Sequence, residues 1–131
     1  MKELIIIAKN QVGSLATVAE ALGAVGVNIE AISCYGFAEK AFFRVLTADS
    51  SSATKALSKI PEVKVQESDI LVMKMLNRPG ELGKITRKLA NRGVNLESLY
   101  IVSRKNDYTE VAFKPTSFDM DKAREVLGIK E

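Results

Sequence analysis

Asn10-Gln11-Val12-Gly13-Ser14-Leu15, followed by Gly26-Val27-Asn28-Ile29-Glu30, decides the fold because the chain writes it twice. It returns as Asn77-Arg78-Pro79-Gly80-Glu81-Leu82 and Gly93-Val94-Asn95-Leu96-Glu97. The offset is 67 residues throughout, and it makes Asn10, Gly13, Leu15, Leu22, Gly26, Val27, Asn28 and Glu30 eight identities within the 23 positions from Asn10 to Ile32. Unrelated segments at average residue usage would share roughly one or two. The 131-residue chain is therefore two copies of one module, residues 1–67 and 68–131, and its function is to be sought in what two copies make together.

Around this repeat the hydrophobic period switches in a fixed order. Leu4 to Ala8 is a β-rich run, and Leu15, Val18, Ala19 and Leu22 recur at helical spacing, so a strand leads through a Gly13 turn into an amphipathic helix. Gly26 suits the helix C-terminus, Val27-Asn28-Ile29 leads into a strand through Tyr35, and Ala41 to Leu46 returns after a turn. Ala53, Ala56, Leu57 and Ile60 mark a second helix ended by Pro61, and Val63-Lys64-Val65 is a short last strand. The second copy repeats this from Ile70 to Leu127 but shows no clear fourth strand, so one sheet edge needs cover by the Val63–Val65 strand or by a neighbouring chain.

The order βαββαβ predicts an α+β protein of two ferredoxin-like units sharing one antiparallel sheet, helices on one face. Leu4 to Ile7 and Ile70 to Met73 are apolar at consecutive positions. The face away from the helices is therefore expected to be covered, most simply in a homodimer burying more than roughly 1,000 Å².

Composition excludes several classes of function. The chain has no His and a single Cys, Cys34, so it lacks the usual proton-transfer group, the commonest metal ligand and any internal disulfide or redox pair. No Gly-rich phosphate loop is present. No catalytic residue, metal or cofactor is expected. No apolar stretch is long enough to span a bilayer, and Met1-Lys2-Glu3 with Leu4 to Ala8 is too short for a signal peptide. The expectation is a cytoplasmic protein without membrane contact.

Net charge is +3, and the excess lies in the second copy, where Lys84, Arg87, Lys88 and Arg92 share a helical face. That reads as a solvated face. A nucleic-acid domain would need a larger basic excess with aromatics among the charges, and Phe42 and Phe43, being adjacent, face opposite sides.

The strand-to-helix turns remain as the candidate site. Glycine lets a backbone approach a ligand, the helix start offers free N–H groups, and Asn supplies a donor and an acceptor suited to a zwitterion. A tight turn with helix-start residues would also explain Gly and Pro79, whose missing N–H is harmless there, but accounts less well for the repeated Asn.

At these residues the chain resembles the ACT domain, a small-molecule-binding regulatory module of amino-acid metabolism. The second copy matches from Asn77 through Glu97, and the first departs at Val12, which stands in the usual Pro position. The resemblance implies side-by-side pairing, with a free amino acid held between one domain's turn and the start of its neighbour's second strand. One site would combine Asn10, Gln11, Val12, Gly13, Ser14 and Leu15 with Asn95 and Leu96. The other would combine Asn77, Arg78, Pro79, Gly80, Glu81 and Leu82 with Asn28 and Ile29. It further implies a non-enzymatic sensor that acts on a partner enzyme. The alternative is an assembly subunit that dimerises or pairs with an enzyme without binding ligand.

Overall fold

The computed structural model describes residues 1–129. The chain divides into two compact units, Met1–Asp69 and a second from Ile70 onward.

In the first unit the elements are β1 (Lys2–Lys9), α1 (Ser14–Ala24), β2 (Ala31–Phe37), β3 (Lys40–Thr47), α2 (Ser50–Leu57) and β4 (Lys64–Asp69). The four strands pair antiparallel in the order β2-β3-β1-β4. Strand alternation sends Leu4, Ile6 and Ala8 of β1 to the helical face, opposite Val45, Phe43 and Ala41 of β3. There they pack with Val18 and Leu22 of α1 and Ala53 and Leu57 of α2. The Asp49 carboxylate caps α2 by accepting the Ser52 N–H at 3.1 Å. α2 stops at Leu57, short of the expected Pro61, because Lys59 and Ile60 donate to carbonyls three residues back and wind the chain into a tighter turn.

The second unit repeats the plan with β5 (Leu71–Leu76), α3 (Glu81–Asn91), β6 (Leu96–Arg104), β7 (Tyr108–Pro115), a 3-10 turn (Ser117–Asp119) and α4 (Met120–Leu127). Its strand order is β5-β7-β6. The core joins Leu71, Leu89, Val94, Phe113 and Ala123, with Met73, Ile85 and Met120 packed against it. α4 ends at Gly128 in the left-handed conformation, and no fourth strand follows among the described residues.

Two expectations are corrected. Among the described residues the ladders form two sheets, of four and three strands, instead of one continuous sheet. β4 and β5 are separated by Ile70 alone, too short a link for either to fold back on the other as a hairpin. Val65 pairs instead with Ile6 in the β4 ladder on β1, and among the described residues no ladder joins β4 to the strands of the second unit's sheet.

The sheet face of the first unit away from its helices is less apolar than the run Leu4 to Ile7 implies. Buried Glu3 receives Arg44 at 3.0 Å, which compensates the buried charge. Phe42 stacks on Tyr35 on that face at 5.1 Å between ring centroids, while Phe43 is buried among the core residues. Among the described residues no helix is long and apolar enough to cross a membrane. Lys84, Arg87, Lys88 and Arg92 are all exposed, as a solvated face requires.

Candidate functional site

Each candidate turn begins where a strand ends and a helix starts. Gly13 precedes α1 with φ 91° and ψ −9°, and Gly80 precedes α3 with φ 89° and ψ −12°, so both glycines hold the same left-handed conformation. A Cβ built on either meets nothing within 4 Å. The demand for glycine is therefore set by the backbone angle. Their carbonyls start the helices by accepting the N–H groups of Thr17 at 2.9 Å and Lys84 at 3.1 Å.

The repeated Asn has a structural task. Asn10 Nδ2 donates to the Ala38 carbonyl at 3.0 Å, and Asn77 Nδ2 donates to the Lys105 carbonyl at 2.7 Å. Their main-chain N–H groups donate to the carbonyls of Glu39 at 2.9 Å and Asp107 at 3.3 Å. Each Asn thus ties its turn to the hairpin between the second and third strands of its own unit. Its Oδ1 accepts no bond among the described residues and remains available as an acceptor.

The two turns differ in charge. Ser14 Oγ donates to the Lys9 carbonyl at 2.6 Å. In the second unit Glu81 receives Arg78 at 2.9 Å and Lys84 at 3.2 Å, and these cations hold its carboxyl below the usual carboxylate range. Arg78 is therefore already committed to a carboxylate inside the turn.

Asn28, Ile29, Asn95 and Leu96 lie elsewhere. Within a unit they follow the first helix, whose 11 residues put them about 16 Å from the turn that precedes it. Neither unit by itself brings the two expected halves together. Ile29 and Leu96 pack against their cores. Asn28 Nδ2 donates to Glu30 at 2.7 Å. Asn95 is more heavily engaged: its N–H donates to Asp119 Oδ2 at 3.1 Å, and its carbonyl accepts the Thr116 N–H at 3.0 Å. Thr116 Oγ1 also donates to Asp119 at 2.8 Å, and these bonds hold the Asp119 carboxyl below the usual range.

The turns open on clefts. In the first unit Val12, Gly13, Ser14 and Thr17 face Ile60, Pro61 and Glu62 across a cleft of about 170 Å³. A wider one of about 740 Å³ lies beside Asn10 and Gln11, among Lys9, Lys40, Lys64 and Glu62, with Lys9 paired to Glu62 at 2.5 Å. In the second unit Asn77, Arg78, Pro79, Gly80 and Leu82 share a cleft of about 370 Å³ with Met75, Leu76, Ile101, Arg104 and Thr109. Sequence reasoning missed Lys9, Glu62, Ile101 and Arg104 as site residues. Only strand register, which sets Arg104 opposite Thr109 at the hairpin end, brings the latter two beside the turn.

Two ferredoxin-like units in tandem, each with a left-handed glycine turn latched by Asn to a hairpin, define a duplicated α+β module. The chain belongs to the ACT domain family, whose model matches residues 2–62 and again 70–128. No curated protein sequence matches the chain. Among solved structures, it is similar to a Bacteroides thetaiotaomicron protein, at 31% identity and TM-score 0.86, over 97% of this chain and 85% of that one. The fold is also that of the ligand-free regulatory subunit of aspartate kinase from Thermus thermophilus, at 18% identity, TM-score 0.70 and coverages of 97% and 90%. The regulatory subunit of aspartate kinase from Thermus flavus aligns at 20% identity, TM-score 0.60 and coverages of 99% and 93%.

Proposed function

We propose that this chain is a regulatory protein that binds a free amino acid at its turns and thereby alters a partner enzyme of amino-acid metabolism. The observation that carries the reading is the turn itself. In the second unit the left-handed Gly80, Asn77 with its free Oδ1 and the start of α3 line one open cleft, and in the first Gly13 and the start of α1 line one cleft while Asn10 lines the wider one beside it, a pairing of donors and acceptors suited to a zwitterion. Because the turn and the second-strand start lie at opposite ends of one helix, a second ACT domain completes each site, and pairing of domains is part of the mechanism. The chain works as a homodimer in the cytoplasm and does no chemistry of its own. Membership of the ACT family supports this reading.

Calorimetric titration of the full chain with each of the twenty amino acids tests it. At least one is expected to bind below millimolar concentration, with light scattering giving a dimer at tens of micromolar. The second reading, an assembly subunit, is favoured by the Asn latches, whose bonds to the hairpins are useful without any ligand. It stands if no amino acid binds.

A further inference from the structure

The effector's chemical class is written in the second unit's cleft, and the inference rests on the reading of the turns as effector sites. That unit exposes few large apolar side chains, yet Leu76 at 50%, Leu82 at 38% and Ile101 at 45% exposure all line this one cleft. Within it Arg104 has no carboxylate partner among the described residues, whereas Arg78 is held by Glu81. An apolar wall beside one uncommitted guanidinium fits a ligand with a single carboxylate and a hydrocarbon side chain. Asn77 Oδ1, left free by the latch, adds an acceptor for an ammonium.

We propose that the second unit's cleft binds an α-amino acid with an aliphatic side chain, its carboxylate on Arg104 and its side chain against Leu76, Leu82 and Ile101. The first unit does not repeat the site. Sixty-seven residues earlier, Lys9 stands for Leu76, Cys34 for Ile101 and Phe37 for Arg104, so the apolar wall is broken by a lysine that Glu62 already holds, and no cation stands at the Arg104 position. The chain therefore takes one such ligand, not two.

Titration calorimetry of the full chain with leucine, isoleucine, valine, methionine, aspartate and lysine tests this, together with leucinamide, which lacks the carboxylate. At least one aliphatic amino acid is expected to bind with a stoichiometry of one per chain, and leucinamide roughly tenfold more weakly than leucine. Arg104→Gln, a substitution at an exposed position, should weaken the aliphatic ligand roughly tenfold or more and remove the advantage of leucine over leucinamide. Phe37→Ala should leave binding unchanged. If aspartate or lysine binds and no aliphatic amino acid does, this assignment falls while the sensor reading stands. If nothing binds, both fall. Unchanged affinity in Arg104→Gln, or equal binding of leucine and leucinamide by the native chain, overturns the role of Arg104.

Discussion

Asn77 and Lys105 are joined by a bond that Asn10 and Ala38 repeat. In each pair a carboxamide Nδ2 donates to a main-chain carbonyl 28 residues on, at 2.7 Å and 3.0 Å. A ligand contact alone would leave this bond unexplained, whereas a latch between turn and hairpin explains why Asn recurs. Asn77→Ala should therefore destabilise the second unit by about 1 kcal/mol even without effector, the net worth of one such hydrogen bond. Urea denaturation of the ligand-free variant checks this, and an unchanged midpoint would return Asn77 to a purely ligand-binding role. Because the latch also fixes the turn, effector affinity should fall roughly tenfold in the same variant.

Glycine is required in two different ways near the turns. At Gly80, φ is 89° and a Cβ has open space, so Gly80→Ala should cost about 1–2 kcal/mol from backbone strain, and Gly80→Asn less. Gly36 has ordinary angles, but its Cβ would lie 2.7 Å from the Asn10 carboxamide. Gly36→Ala should push that side chain aside and break its bond to Ala38. Its effect should then be absent in an Asn10→Ala background, and a double-mutant cycle measures the coupling; additive effects would show that the two residues act separately.

The two units were legible because their signals are local. The 67-residue offset and the change of period from two to 3.6 place every helix and strand, and Leu4, Ile6 and Ala8 fall on the core face as alternation requires. The breakup into two sheets was not legible, since edge pairing depends on contacts that no single strand encodes. Leu15 and Leu82, which share the apolar spacing of their helices, are 40% and 38% exposed beside the turns. Arg104 and Ile101 reach the cleft only through the β6–β7 register, and the Asn latch only through a hairpin that sequence cannot dock.

Asp119 should give the second unit a pH-dependent term. Its carboxyl is held below the usual range, first by the Asn95 N–H and then by the Thr116 hydroxyl. A carboxyl with a lower pKa folded than unfolded contributes stability above its unfolded value, about 3.9, and loses it as pH falls through the folded value. Asp119→Asn should therefore be less stable than the native chain at neutral pH, and the gap should close as pH falls through the folded value. Denaturation curves at several pH values decide it, and a gap that stays constant with pH would rule out the carboxylate as its source.

Val12 is where the first copy departs from the second, and the structure makes the departure testable. Gly13 and Gly80 have matching angles, 91° and −9° against 89° and −12°, so the residue that follows Val12 takes the same conformation as the one that follows Pro79. The Val12 side chain is fully exposed, and its N–H donates to no main-chain carbonyl among the turn's bonds, so proline removes neither packing nor a hydrogen bond there. Val12→Pro should stabilise the first unit by about 0.4–1 kcal/mol, mainly by narrowing the unfolded ensemble. A raised urea midpoint with unchanged slope is the expected result. A lowered midpoint would mean that the turns differ at this residue despite matching at the next, and that the first cleft is shaped for a different occupant.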